Sequence, residues 1–208
     1  MGLNGYKKKP RGKEQRKRNS FVFISAEGNN KTETLYFQQF QNKNVRFKFV
    51  TGTTTDPVKM SKDLIKKMHS EDFDADYGDC AFCLIDGDNL SYKNQQIAEA
   101  DALASKNGFE IILSNPCFEV WFICHDHYST KYYRSSEEAV EEVKRLFPGY
   151  TKSNPHIYEM FTDGFNEAMK NAKRQYKWNI DQDRRIHTVE FQPSTEVFRI
   201  FEKVDLVK

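Results

Sequence analysis

The apolar run Ala81-Phe82-Cys83-Leu84-Ile85, ended abruptly by Asp86-Gly87-Asp88-Asn89, constrains the fold more than any other stretch of this chain. It reads as a buried strand that delivers two carboxylates at its carboxyl end. In open α/β sheets that rim is where ligands bind. Side chains at i and i+2 of an extended segment point the same way, so Asp86 and Asp88 are expected to face one cation. Gly87 between them has no side chain, and a phosphate or a second chain can approach its backbone. Hard oxygen ligands suit magnesium or manganese, whereas zinc favours thiolate or imidazole. The plainer reading of Asp-Gly-Asp-Asn is a turn after a strand, since all three residue types favour turns.

The segments on either side supply a sheet for that strand to join. Phe21 to Ala26 reads as a buried strand stopped by Glu27-Gly28-Asn29-Asn30, and Thr32 and Glu33 open a helix carrying Leu35, Tyr36 and Phe40 at helical spacing. Val45 to Thr51 alternates like a half-exposed strand near a sheet edge. Asp56-Pro57 caps a helix whose buried stripe is expected at Val58, Ile65 and Met68. The five acids between Glu71 and Asp79 read as a solvated loop. Gln95 to Lys106 is a helix ended by Asn107-Gly108, Phe109 to Leu113 a fourth strand, and Phe118 to His125 an apolar helix. This repeated order predicts an α/β fold with a mostly parallel sheet of about four strands flanked by helices.

From about residue 129 the chain reads as helical. Ser135 with Glu138 matches a capping box before Ala139, Val143 and Leu146. Tyr150 to Asn154 is a polar connector, Ile157 to Met160 a short segment, and Asp163 to Trp178 a longer helix. A charged loop follows from Asp181 to His187, and Gln192 to Thr195 introduces a last helix.

A chain of 208 residues suits one domain, expected here over 19–208. With 38% hydrophobic and 30% charged residues, it reads as a globular protein packed largely on its seventeen Phe and ten Tyr. No apolar stretch approaches the length of a membrane span and the amino terminus lacks a signal-peptide core, so a cytoplasmic location and no membrane partner are expected. Cys80, Cys83, Cys117 and Cys124 lie in or beside apolar runs and are expected to be reduced and buried; a strand would send Cys80 and Cys83 to opposite faces, which argues against thiolate metal chemistry. The net charge of +2 conceals an arm, Lys7 to Arg18, with eight Lys or Arg and one Glu, so the rest of the chain carries a net −5. Residues 1–18 are expected to be disordered when free, either as a solvated tail or as an arm that lies on phosphates or an acidic partner.

Glu27 and the Asp86/Asp88 pair end two separate strands, and neighbouring strand ends at a topological switch converge on one crevice. Carboxylates gathered there would repel one another without a divalent cation, and a cation so held supports phosphodiester hydrolysis. The Ala26-Glu27-Gly28 and Asp86-Gly87-Asp88 segments are similar to the Toprim pattern of topoisomerases, primases and OLD-type nucleases. More closely, the ordered set Glu27-Gly28, Lys31-Thr32-Glu33, Tyr36-Phe37, Asp86-Gly87-Asp88, Ser114-Asn115-Pro116-Cys117-Phe118-Glu119-Val120-Trp121-Phe122, Tyr150-Thr151-Lys152 and Pro193-Ser194-Thr195 resembles the RloB-like family. The resemblance implies a Toprim-like nuclease of bacterial antiphage defence that cuts RNA or DNA, working in abortive infection with an AAA/ABC-type ATPase partner. It further implies that Glu27, Asp86 and Asp88 hold Mg2+ or Mn2+, and that Asn115, Glu119 and Lys152 line the site. Where the resemblance leads one to expect an arginine or lysine between the two aspartates, this chain has Gly87, so weaker phosphate contact is expected with the metal ligands kept.

Other residues keep two readings. Glu119 is a further ligand or the base that activates water, against an exposed helical acid; the string it belongs to tilts it to the site. Lys152 pairs with a scissile phosphate or is an ordinary surface lysine, and Asn115 orients Glu119 or only shapes the turn. His125 and His127 read as surface or capping histidines, His187 as a nucleic-acid contact or a loop residue, and Tyr128, Tyr132, Tyr133 and Tyr150 as core or rim packing more than base-stacking platforms. The rival to the nuclease is a non-catalytic adaptor with a vestigial acidic crevice, docking on nucleic acid or the ATPase through its arm. A primase-like transferase lacks a nucleotide-selecting segment, and homo-oligomerisation stays open.

Overall fold

The computed structural model describes residues 19–28 and 31–204; the expected basic arm lies outside the described residues. Five strands form one sheet in the order β2-β1-β3-β4-β5, with β1 at Ser20–Ser25, β2 at Val45–Phe49, β3 at Cys80–Asp86, β4 at Glu110–Asn115 and β5 at Ser194–Thr195. The first four are parallel. The two-residue β5 pairs antiparallel with the end of β4, Ser114 opposite Thr195 and Asn115 opposite Ser194. Thus the segment expected only to introduce the last helix closes the sheet as well.

The helices are α1 Lys31–Phe37, α2 Pro57–Ser70, α3 Lys93–Asn107, α4 Glu119–Asp126, α5 Ser136–Leu146, α6 Phe165–Asp181 and α7 Val197–Lys203. Because side chains alternate along a strand, the sheet has two apolar faces. Phe23, Ala81, Cys83, Ile85, Ile111 and Leu113 pack with Met60, Leu64 and Met68 of α2 and Ile97, Ala100 and Ala104 of α3. Val22, Ile24, Phe82, Leu84 and Ile112 face the opposite way, into a larger aromatic core built from α1 and α4 to α7. Cys83 belongs to the first face and Cys80 packs at the margin of the second, so the two thiols do point apart. Cys80 is only partly buried, and all four cysteines are free.

Local chemistry sets the boundaries. Asp56 Oδ1 accepts from the Lys59 N–H at 2.7 Å and Pro57 follows it, which starts α2. Its buried stripe is Met60, Ser61, Leu64 and Met68, with Val58 and Ile65 at the margins, one position round from the expected line. Gly108 ends α3 at φ 74°, a backbone region that glycine enters without strain. Ser135 caps α5 by accepting from Glu138 N–H, while the Glu138 carboxylate accepts from Arg134 N–H. In the acidic loop Asp79 departs from expectation: it is buried, and its carboxylate accepts from the backbone N–H groups of Phe21 and Asp74, which fastens the loop to β1. Among the described residues no helix is long and apolar enough to cross a membrane.

Candidate active site: an acidic crevice at the sheet rim

Strand order reverses between β1 and β3, since β2 lies on one side of β1 and β3 on the other. Chain leaving β1 and β3 therefore turns away in opposite directions and opens a crevice at their carboxyl ends. Glu27 follows β1 and Asp86 ends β3; the Asp86 N–H donates to Glu27 Oε1 at 3.3 Å. Around a cavity of about 290 Å³ these two meet Glu33 from α1, Glu119 from the start of α4, and Lys152 from the connector. Four acids from four places in the chain share one opening.

Each acid has a distinct footing. Asp86 Oδ1 accepts from the Phe118 N–H at 2.9 Å, so its carboxylate also braces the first turn of α4. Glu119 Oε1 accepts from Tyr150 Oη at 2.9 Å and stands 3.0 Å from Lys152 Nζ, with the glutamate buried and the lysine half in solvent. Thr32 Oγ1 donates to the Lys152 carbonyl at 3.0 Å, tying the connector to α1. Burial, followed by Glu119 and Glu27 nearby, raises the Glu33 carboxyl to about 7 despite Lys152 and its own backbone N–H. Burial likewise lifts Glu27 to about 7 against the opposing pull of Lys93. Asp86 is raised by burial and then by Glu27, Glu33, Glu119 and Asp88. Burial and the crowding of like charges thus favour the protonated forms of these acids until a further cation arrives.

Asp88 does not join them. The extended backbone ends at Asp86, and Asp88 adopts φ 51°, so the i, i+2 geometry of a strand no longer applies. Its Oδ1 accepts from Ser136 Oγ at 2.7 Å, at the start of α5, and its Oδ2 accepts from Lys93 Nζ at 2.8 Å. Lys93 also donates to Glu27 Oε1 at 2.9 Å and to the Asp86 carbonyl at 2.8 Å. The expected Glu27, Asp86, Asp88 triad is therefore filled by an ammonium group. Among the described residues no three acids, histidines or cysteines already form a chelating group. The hard oxygens of Glu27, Glu33, Asp86 and Glu119 nonetheless suit a divalent ion in their chemistry. The fit lies on the Glu33 side of the crevice and not the Asp88 side.

Asn115 is fully buried below the crevice instead of lining it. Its amide nitrogen donates to the Thr188 and Phe191 carbonyls at 3.0 and 3.1 Å, and its Oδ1 is aimed at Gly87. His125 is not a surface histidine: it is buried, its Nδ1 lies 2.9 Å from the Trp121 carbonyl, and burial lowers its pKa to about 4. His127 is paired with Asp126 in solvent, as expected. His187 is clamped between Asp101 at 2.8 Å and Glu196 at 3.0 Å, which commits the ring to holding its loop against α3 and α7. Of the tyrosines, Tyr133 and Tyr150 are buried, Tyr128 carries Arg174 over its ring, and Tyr132 is exposed.

Glu33 and Lys93 are the site residues that sequence reasoning passed over. Both left a signal. Glu33 shares the inner face of α1 with Tyr36 and Phe37, and Lys93 shares the stripe of Ile97, Ala100 and Ala104. A charged residue on a buried stripe needs a partner.

The fold and crevice define an α/β protein with an acidic site at the switch between its first and third strands. A family model described as RloB-like protein matches residues 22–204, and the chain belongs to that family. No curated protein and no solved structure gives a match.

Proposed function

We propose that this RloB-like protein is a divalent-metal-dependent nuclease that hydrolyses phosphodiester bonds of RNA or DNA, acting in antiphage defence with an AAA/ABC-type ATPase. The convergence of Glu27, Glu33, Asp86 and Glu119 on one cavity carries the reading. Glu27, Glu33 and Asp86 would hold Mg2+ or Mn2+, which when bound polarises a phosphoryl oxygen and acidifies water. The protein's own residues do the rest. Lys152, half-exposed at the mouth, offers its ammonium to the phosphate. Glu119 and Tyr150 fix that lysine's position through the shared carboxylate oxygen. Asp86 couples the site to α4 through Phe118. Support for the nuclease character comes from the family resemblance together with this donor set, and for the ATPase and the defence role from the resemblance alone.

The test is cleavage of RNA and DNA by the purified chain, alone and with its ATPase, across Mg2+ and Mn2+ concentrations. Glu33→Gln and Asp86→Asn should abolish cleavage while the proteins remain folded. Lys152→Met should slow it about 100-fold, the loss usual for a positioned donor to developing charge. No cutting by wild-type protein under any of these conditions ends the proposal. The adaptor reading keeps one observation in its favour, the pairing of both Glu27 and Asp88 with Lys93. It requires nucleic-acid or ATPase binding that survives Glu33→Gln with no cleavage in wild type.

A further inference from the structure

The position of Lys93 runs against two ordinary preferences. It is the first residue of α3, where the helix dipole favours negative charge. Its side chain is also only 4% exposed, where an ammonium loses most of its hydration. Three oxygens compensate it: Glu27 Oε1 at 2.9 Å, Asp88 Oδ2 at 2.8 Å and the Asp86 carbonyl at 2.8 Å. An ammonium has three hydrogens to donate, and all three are used. Two carboxylates and a backbone carbonyl around one centre are also a ligand set for a hard cation.

We propose that Lys93 is a built-in counter-ion that fills one of two cation positions at this rim, so that the protein binds a single divalent ion, on the Glu33 side of Asp86. This rests on the metal-dependent reading of the same site. Charge supports it independently of geometry. Glu27, Glu33, Asp86, Asp88 and Glu119 are five carboxylates facing three ammonium groups, Lys31, Lys93 and Lys152. When all are ionised the excess is two negative charges, which one divalent ion cancels. Removing the Lys93 charge raises the excess to three, more than one divalent ion balances. Ser136 Oγ donates to Asp88 Oδ1, so the Asp88 carboxylate would stay in place.

The experiment counts bound Mn2+ on the full chain by electron paramagnetic resonance of the free ion, with no nucleic acid and no activity readout. Wild type should bind one ion and Lys93→Met two, with the second lost again in Lys93→Met/Asp88→Asn. Asp88→Asn alone should keep the single ion, because Asp88 serves Lys93 and not the ion; this variant decides the matter if Lys93→Met fails to fold. Two ions on wild type, one on folded Lys93→Met, or loss of the ion in Asp88→Asn would each overturn the assignment while leaving a metal nuclease intact. No ion on any variant or on wild type would remove the metal reading and this inference together.

Discussion

A methyl group at position 87 would stand 1.5 Å from Asn115 Oδ1, so glycine here is a matter of space beneath the crevice and not of a missing phosphate-binding cation. Asn115 cannot step aside freely, because its amide nitrogen holds the 188–191 segment through two carbonyls. Gly87→Ala should therefore destabilise the fold by about 1–3 kcal/mol, the range for forced overpacking. Gly87→Arg should do at least as much harm without strengthening phosphate contact. Urea unfolding of Gly87→Ala, Asn115→Ala and the double variant would show a coupling energy; strict additivity would remove the steric explanation. His187 gives a prediction with a pH signature. Burial alone would lower its pKa, but Asp101 and Glu196 outweigh burial and raise it to about 10. A base raised in this way contributes stability that is complete below its unfolded value near 6.5 and is lost as pH rises through about 10. Its φ of 56° is one that asparagine tolerates, so His187→Asn removes the charged clamp without adding backbone strain. The variant should lose about 2 kcal/mol at pH 6, the scale of hydrogen bonds to a charged group, and progressively less towards pH 10. A deficit that does not vary with pH would show that the ring is neutral in its clamp.

At the scale of elements, what could be read from sequence was whatever depends on periodicity and end chemistry. The buried strands β1, β3 and β4 and the edge position of β2 follow from apolar runs and one alternation, and the start of α2 follows from Asp56-Pro57. β5 was not legible: two residues carry no period, and their pairing with Ser114 and Asn115 is made 80 residues away by tertiary packing. The crevice itself was half legible. Glu27 and Asp86 announce themselves as acids at strand ends, but Asp88 was misplaced because the strand ends at Asp86, two residues short of it, and i, i+2 logic does not carry across. Glu33 reads from sequence only as the opening of a helix, and Lys93 lies two residues before the helix expected from Gln95, so neither was assigned to the site although both sit on apolar stripes. Asp56 shows how such elements are joined. Its Oδ1 caps α2 and its Oδ2 accepts from Gln96 of α3 at 2.9 Å, so one carboxylate registers the two helices on this face. Asp56→Ala should cost about 1 kcal/mol through the cap, whereas Asp56→Asn, which can still cap, should stay within a few tenths. Equal losses in thermal or urea unfolding would mean that the charge, and not the cap, holds α2.

For the molecule as a whole, two apolar faces of one sheet supply the cohesion and the crevice between β1 and β3 works against it. Glu33 is the clearest case. It is buried beside the aromatic core around Tyr36 and Phe37, and burial raises its carboxyl from the ordinary 4.5 to about 7. An acid raised on folding binds its proton more tightly in the native state than in the unfolded chain. Its contribution to stability therefore declines as pH rises from about 4.5 through about 7, and it remains a burden above that. Glu33→Gln removes the buried charge and keeps the shape. In chelator at pH 8 this variant should melt at a higher temperature than wild type, while at pH 4.5 the two should nearly coincide. Mg2+ should reverse the order at pH 8. An ion at one hundred times its dissociation constant adds about 2.7 kcal/mol to a protein that binds it only when folded, and Glu33→Gln should gain much less. A crossing of the two melting temperatures as Mg2+ is titrated in is the expected result of a site whose charge is set for an ion at the expense of the empty fold. A Glu33→Gln protein that is less stable than wild type in chelator, or that gains as much from Mg2+, would show that Glu33 serves the core and not the crevice.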